Sequence, residues 1–410
     1  MLRDALQGLT VLDFTQIAAG PTCTMLLADM GARVIKVEPP EGELGRSLGP
    51  AWVGSDSALY HGFNRGKLSI CLNLKHPDGQ AVAQRMVAEA DILIESMRPG
   101  VMTRLGLGYA AMAEIHPALI YCSISAYGQK GAYADRAGVD GILQADSGLM
   151  SLIGQPGSPP SKVQAPVVDV VTGHMACMSI LAKLQARNRD GQGGHLDVNL
   201  MNAALALQQS SITSYLRNGQ LPTPTGSAAP YAAPNEAFET QDGWIMVAAY
   251  NGSRWERLCT VLGYPEWVND PRFVSSAKRV EHRTEMQAEL NPVFASKPCA
   301  HWLQVLHDAD ILCAKVADYS DLLEHPQLSK NGMLVEVEHP LHGRLRTLGF
   351  PINSAEAAAS PYLPAPDLGE HSRSVLQSFD FSEREIDVLA NNGVIGERSP
   401  SETIQCVNYE

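Results

Sequence analysis

The chain has 410 residues, 45% of them hydrophobic and 18% charged, too much apolar side chain for one ordinary core, so two domains are predicted. A formal net charge of −13 argues against nucleic acid or an anionic membrane as a partner, and no uninterrupted apolar run approaches the roughly 18 residues that span a bilayer. The eight cysteines are scattered without a C-x-x-C pair and the N-terminus lacks a basic-then-apolar leader, which reads as a cytoplasmic protein with reduced thiols, no disulfide frame and no zinc site.

In chain order, Leu9–Phe14 reads as a buried strand, Gly20–Met30 as a helix and Ala32–Val37 as a second strand, with Ala18-Ala19-Gly20-Pro21 at the turn. No G-x-G-x-x-G follows the first strand, yet Glu38 ends the second where a dinucleotide fold places its ribose-binding acid. Lys67–Leu74, Asp91–Glu95 and Ala118–Ser125 read as further strands, with an amphipathic helix over Asp78–Ala90. This alternation predicts an α/β fold: a large Rossmann-like domain with a mostly parallel sheet covered on both faces, plus a smaller α/β domain. Ligand crevices in such sheets lie at the carboxyl ends of strands, so Arg65, Lys67, Lys75, Arg98 and Arg104 are candidate phosphate contacts. Residues 31–136 hold 11 Lys/Arg against 10 Asp/Glu, whereas the other 304 hold 20 against 34, a weak hint that an anionic small molecule binds in the first region.

The stretch Ala165–His174 (A-P-V-V-D-V-V-T-G-H) sets one carboxylate, Asp169, in an apolar run ahead of a helix read over Met175–Arg187. An aspartate in front of a helix is first of all an N-cap. It is also a nucleophile that needs no activating base, because a carboxyl of reference pKa about 3.9 is ionised at neutral pH. Backbone N–H groups at the helix start are candidates to stabilise an oxyanion formed there.

Further on, His195–Leu200 reads as a strand, Asn202–Leu216 as a helix and 222–234 as a Pro/Gly/Ala-rich break. Strand Trp244–Ala249 follows, then helices over Ser253–Leu262, Val280–Ala295 and Lys297–Ala309, a hairpin of Leu334–His339 and Gly343–Leu348, a linker-like stretch Ala355–Pro366 and a closing helix Ser382–Asn391. The resulting division is a large domain from 1–221, a small domain from 222–332, a linker and hairpin at 333–366 returning to the large domain, and 367–410 completing it. His339-x-x-His342 falls in the hairpin turn and reads as a solvated turn, not a metal site.

Several short motifs follow one another along the chain: V-L-D-F-x-x-x-x-A-G-P at 11–21, G-A-x-V-I-K-V-E at 31–38, Asn64-Arg-Gly-Lys67-x-Ser69, E-S-M-R-P-G at 95–100, L-G-L-G-Y at 105–109, Y-C-S-I-S-A-Y-G-Q at 121–129 and A-G-V-D at 137–140. Phe238-x-x-x-Asp242-Gly243, V-E-V-E-H-P-x-x-G at 335–343 and L-G-E-H at 368–371 complete the set. Each is weak alone; in this order the chain resembles the class III CoA-transferase family nearly end to end.

The resemblance implies that Asp169 is the catalytic aspartate, forming an acyl-aspartyl anhydride and then an aspartyl-CoA thioester, with coenzyme A as substrate and no further cofactor and no metal. It implies CoA contacts at Ala18, Ala19, Pro39, Leu72, Asn73, Leu74, Lys75, Ser96, Met97, Arg98, Arg104, Ala137, Gly138, Val139 and Asp140. It also implies an interlocked homodimer whose CoA site uses both copies. The formyl-CoA branch has glutamine and arginine where this chain has Ala18 and Pro39, and a run of glycines where it has Gly226-Ser-Ala-Ala-Pro-Tyr231. The wording is closer to the dicarboxylate branch, with an acyl-CoA such as succinyl-CoA as donor and a small carboxylic acid such as glutarate, itaconate or malate as acceptor. The rival on the same fold is an α-methylacyl-CoA racemase, whose A-G-H-D histidine is Val139 here, so a proton-transferring partner such as His174 is required. An NAD-dependent dehydrogenase of Rossmann type rests on the β-α-β start and Glu38, against the missing G-x-G-x-x-G, and a non-catalytic CoA-binding protein would have no use for Asp169.

Overall fold

The computed structural model describes residues 2–353 and 361–396; of the linker read over Ala355–Pro366, residues 355–360 lie outside the described residues. The apolar runs form strands where they are read: β1 (Thr10–Phe14), α1 (Ala19–Asp29), β2 (Arg33–Glu38), β3 (Leu68–Leu72), α2 (Pro77–Val87), β4 (Ile92–Glu95) and β5 (Ile120–Ser125). After them come α3 (Asp140–Asp146), α4 (Val167–Asp190) and β6 (Gly194–Asn199). These six strands pair in parallel in the order β3-β2-β1-β4-β5-β6, and Ile395–Gly396 adds a short antiparallel edge strand on β3.

Both faces of the sheet are covered, which is why its strands read as near-continuous apolar runs. Val11, Val34, Ile94, Ile124 and Val198 share one core with Ala176 and Ile180 of α4, and Leu12, Ile35, Leu93 and Tyr121 share the other with Val82 and Met86 of α2. The described residues of Met1–Leu149, Lys162–Gly219 and Ser329–Glu410 form one compact unit, and Met150–Ser161 with Gln220–Leu328 form a second. The second unit is built on a three-stranded antiparallel sheet, Leu312–Lys315, Gly243–Ala248 and Asn235–Thr240, over Phe238, Ile245, Val247, Trp255, Phe294 and Trp302.

Several elements depart from the sequence reading. Helix α4 begins at Val167, not Met175, because burial of Val168 and Thr172 holds a β-branched stretch that helix propensity disfavours. The helix read over Asn202–Leu216 is two helices, Leu200–Leu207 and Gln209–Asn218, joined at Gln208. The outer strands of the small sheet carry too little alternation to be read alone. Helix α4 is long and apolar enough to cross a membrane, but it packs in the core against α1.

The motif charges of β1, β2 and β3 pair inside the protein. Glu38 accepts Arg46 Nε at 2.6 Å, Arg46 Nη2 at 2.8 Å and Ser69 Oγ at 2.7 Å; Arg46 also reaches Asp56 at 2.5 Å and donates to Tyr60 Oη at 2.6 Å. Asp13 accepts Thr24 Oγ1 at 2.7 Å and Lys67 Nζ at 3.0 Å. Burial would raise its carboxyl, but Lys67, Lys36 and two hydroxyls hold it well below the usual carboxylate range. Glu38, only 1% exposed, is therefore closed to a ribose, which corrects the dinucleotide reading. Arg65, bonded to Asp29, and Lys67 are buried in the same way and are not phosphate contacts. Nor is the hairpin turn merely solvated, since His339 is buried and His342 half-buried.

Candidate active site

Because β3, β2, β1 and β4 are neighbours, the segments that follow them lie along one edge of the sheet. Those segments are Leu72–Lys75 after β3, Pro39 after β2, Ala18-Ala19 after β1 and Ser96–Arg98 after β4. Arg104 ends the short helix Val101–Arg104, and Ala137–Gly138–Val139 lead into α3. Ala18, Ala19 and Leu72 have buried side chains and offer a ligand only backbone. Asn73, Leu74, Ser96, Met97 and Gly138 are half-buried, whereas Pro39, Lys75, Arg98, Arg104, Ala137 and Val139 are exposed. Neither Arg98 nor Arg104 forms an ion pair among the described residues, so both are open to an anion.

The turn from β1 into α1 is drawn tight. A Cβ on Gly20 would lie 2.2 Å from the Thr15 side chain, which Asp13 holds in place, so only glycine fits. Ile17, directly before Ala18, takes the left-handed conformation (φ 68°), a β-branched outlier that costs about 1–3 kcal/mol. Its N–H donates to Glu43 Oε2 at 2.9 Å, and Lys36 stands 3.4 Å from the same carboxylate, so the buried network fixes this strained corner.

Asp169 is the third residue of α4, inside the first turn and not at the N-cap. The capping role belongs to Asp140, whose Oδ2 accepts the N–H of Val168 at 2.8 Å and of Asp169 at 3.1 Å, while its Oδ1 accepts Gln144 Nε2 at 2.6 Å. Buried Gln144 ties this cap to Val163, accepting its N–H at 2.9 Å. The remaining first-turn amides are also spent, Val167 N on Ala165 O and Val170 N on Pro166 O. The first-turn amides are thus not open to an oxyanion, which corrects that expectation, and the Asp140 carboxylate is engaged within the protein rather than presented to a ligand. Two consequences reach Asp169: burial, then the nearby Asp140 charge, push its pKa up to about 7. No cation pairs with it among the described residues.

Four residues on, Gly173 sets α4 against α1. A Cβ there would lie 2.5 Å from Ala19 O and 2.6 Å from Thr22 Cβ. Gly173→Ala is expected to lower stability by about 2–3 kcal/mol, read from the urea midpoint of the parent and variant; a change below about 0.5 kcal/mol would show that the two helices separate freely.

A second group, not singled out from the sequence, lies beside Arg98. Glu95, Ser123 and His195 line a polar cavity of about 180 Å³ together with Tyr109 and Gln129. Ser123 Oγ is 2.9 Å from His195 Nε2, His195 stacks on Tyr109 with ring centres 4.9 Å apart, and burial pushes the Glu95 carboxyl up to about 7 against a Ser123 hydrogen bond. Only parallel pairing of Glu95 with Ser123 and of Tyr121 with His195 brings them together, and register is not legible in a linear pattern.

The family model described as CoA-transferase family III matches residues 6–372. The chain is 34% identical over 392 residues to the succinyl-CoA:glutarate CoA-transferase of Mus musculus, covering 95% of this chain and 90% of that protein. It is 39% identical over 331 residues to the acetyl-CoA:oxalate CoA-transferase of Acetobacter aceti, covering 80% and 85%. Among solved structures, a CAIB/BAIF family protein from Brucella suis superposes with a TM-score of 0.83 at 32% identity, covering 92% of this chain and 99% of that one. With a family match across nearly its whole length and relatives above 30% identity, the chain belongs to CoA-transferase family III.

Proposed function

We propose that Asp169 carries CoA, as a covalent thioester, from an acyl-CoA donor to a small dicarboxylate. The observation behind this reading is a half-buried carboxylate with no cation partner among the described residues and a pKa raised to about 7, one that is both available and more basic than a free aspartate. A carboxylate oxygen of Asp169 attacks the donor thioester carbonyl, the C–S bond breaks, and CoA leaves as thiolate from an acyl-aspartyl anhydride. The thiolate then attacks the Asp169 carbonyl, and the donor acid departs as its carboxylate. The acceptor carboxylate attacks the aspartyl-CoA thioester, and the released thiolate takes the new acyl group, restoring Asp169. One thioester replaces another, so the chemistry itself calls for no external energy source.

Succinyl-CoA is the proposed donor, and glutarate, itaconate, malate and oxalate form the acceptor panel; the oxalate-named relative at 39% identity keeps oxalate in it despite Ala18 and Pro39. The reading includes a homodimer in a reducing compartment. Helix Gln209–Asn218 buries none of its residues and leaves Leu216 78% exposed, a face for a second copy, and the seven cysteines among the described residues are free. A racemase needs an opposing base, but His174 is exposed, lies 140° further round α4 from Asp169 and has its Nδ1 2.8 Å from Val170 O.

Intact-mass analysis after incubation with succinyl-CoA tests the proposal: an adduct of CoA less water on the Asp169 peptide, discharged by one acid of the panel, supports it. No adduct with any acyl-CoA, alongside deuterium exchange at an acyl α-carbon, would favour the racemase. Asp140→Asn, which removes the neighbouring negative charge, is expected to move the acid limb of the kcat/KM–pH profile below its parental position near 7. An unmoved limb would leave Asp140 as a cap and nothing more.

A further inference from the structure

The first unit also gathers three histidines and an aspartate from distant parts of the chain. His61 lies on helix Ala58–Phe63, His339 ends the strand Leu334–His339, His342 precedes the strand Gly343–Leu348, and Asp367 lies beyond both. One nitrogen each of His339 and His342 and one Asp367 oxygen lie within 4.8 Å of one another. His339 Nε2 stands 3.8 Å and His342 Nε2 3.9 Å from Asp367 oxygens, beyond hydrogen-bond reach. Two ligands on one tetrahedral ion with bonds near 2.0–2.1 Å are about 3.3 Å apart, so a small contraction would close the set.

The rings point the same way. The ring centre of His61 is 5.7 Å from that of His339 and 6.4 Å from that of His342, and the latter two are 4.5 Å apart. Imidazoles held by one nitrogen each to a common tetrahedral ion sit about 5 Å apart, centre to centre. His61 Nε2 is buried and takes no hydrogen bond, a loss of solvation that a ligand would offset. Gly54 makes room for the group: a Cβ there would lie 2.2 Å from His342 Cε1 and 2.7 Å from its Nε2. The nearby cations Arg46 and Arg65 are already paired, with Glu38 and Asp56 and with Asp29.

We propose that His61, His339, His342 and Asp367 form a site for one divalent cation of the zinc class, bound through three imidazoles and a carboxylate. Nitrogen and oxygen donors in this number suit a closed tetrahedral ion. His339 Nδ1 accepts the Leu341 N–H at 3.2 Å, so loading shifts the ring proton from Nε2 and gives up that contact. The ion would staple the hairpin to helix Ala58–Phe63, joining segments more than 270 residues apart in the chain.

The test uses the full chain freed of metal with a chelator and titrated with zinc in a calorimeter, without acyl-CoA. One equivalent bound at micromolar or tighter affinity, weakened at least tenfold in both His342→Ala and Asp367→Asn, is the expected result. Cobalt(II) in place of zinc should give the visible bands of a tetrahedral nitrogen and oxygen site, a readout on the parent chain that stands even where a variant fails to fold. No stoichiometric binding, equal affinity in folded variants, or a thiolate charge-transfer band placing the ion on cysteine would each overturn the proposal. None of these readouts depends on Asp169 or on transfer activity.

Discussion

Asp169→Asn is expected to abolish CoA transfer, by about 10⁴-fold or more in kcat, and at the same time to make the protein more stable at pH 8. The amide keeps the shape of the side chain but cannot form the anhydride, so the CoA adduct disappears from the mass spectrum. The gain in stability follows from the raised pKa. Burial and the Asp140 charge lift the carboxyl to about 7 in the folded protein, whereas in the unfolded chain it titrates near 3.8. The folded state therefore holds this proton more tightly, and that contribution is complete below the unfolded pKa and lost as pH rises through 7. Ionised Asp169 at pH 8 is a destabilising group, by about 1–2 kcal/mol after solvent screening of a half-buried site. The urea midpoint of Asp169→Asn should exceed that of the parent at pH 8, and the two should converge near pH 4. A variant less stable than the parent at pH 8 would contradict the raised pKa, even if transfer were lost.

Arg46→Ala should produce the largest loss of stability, about 3–5 kcal/mol, because it leaves Glu38 and Asp56 buried without their partner. Arg46 also lies 3.8 Å over the Tyr60 ring and donates to Pro366 O at 3.2 Å, so the substitution removes packing as well as charge. The sign of its pH dependence separates the two contributions. Without Arg46, burial raises the Glu38 carboxyl, which is held below the usual range in the parent. The variant's deficit should be greatest above neutrality and shrink as pH falls toward 4 and Glu38 takes up a proton. Urea denaturation followed between pH 4 and 8 measures this; a deficit under about 1 kcal/mol at every pH would mean that the network is dispensable.

The parallel sheet was legible because its strands are buried on both faces and therefore apolar throughout, so β1 to β5 lie within two residues of their sequence bounds. The hairpin at 334–348 matched residue for residue because its turn chemistry is local. Asp169 stood out through the motifs that accompany it along the chain, since by its spacing alone it reads first as an N-cap. The partnerships that give it chemical character were not legible. Asp140 is 29 residues upstream, and its service as a cap for α4 depends on where α3 comes to rest. Glu38 shows the converse error: its position at a strand end matched a ribose-binding acid, but only the fold reveals that Arg46 encloses it. Charge in a motif cannot be assigned to surface or interior until its partner is known.

The edge strand Ile395–Gly396 carries a consequence for biosynthesis. It covers Leu72 and Cys71 of β3, and Asn73 N donates to Val394 O at 2.8 Å. A ribosome delivers β3 some 320 residues before the segment that closes it, while the intervening Gln220–Leu328 forms a compact unit with Met150–Ser161. That inserted unit can collapse early, but the edge of β3 stays open until Val394–Gly396 has been made. A nascent or truncated chain ending before Val394 would therefore present an unpaired apolar strand to its neighbours, making premature termination a route to co-translational aggregation.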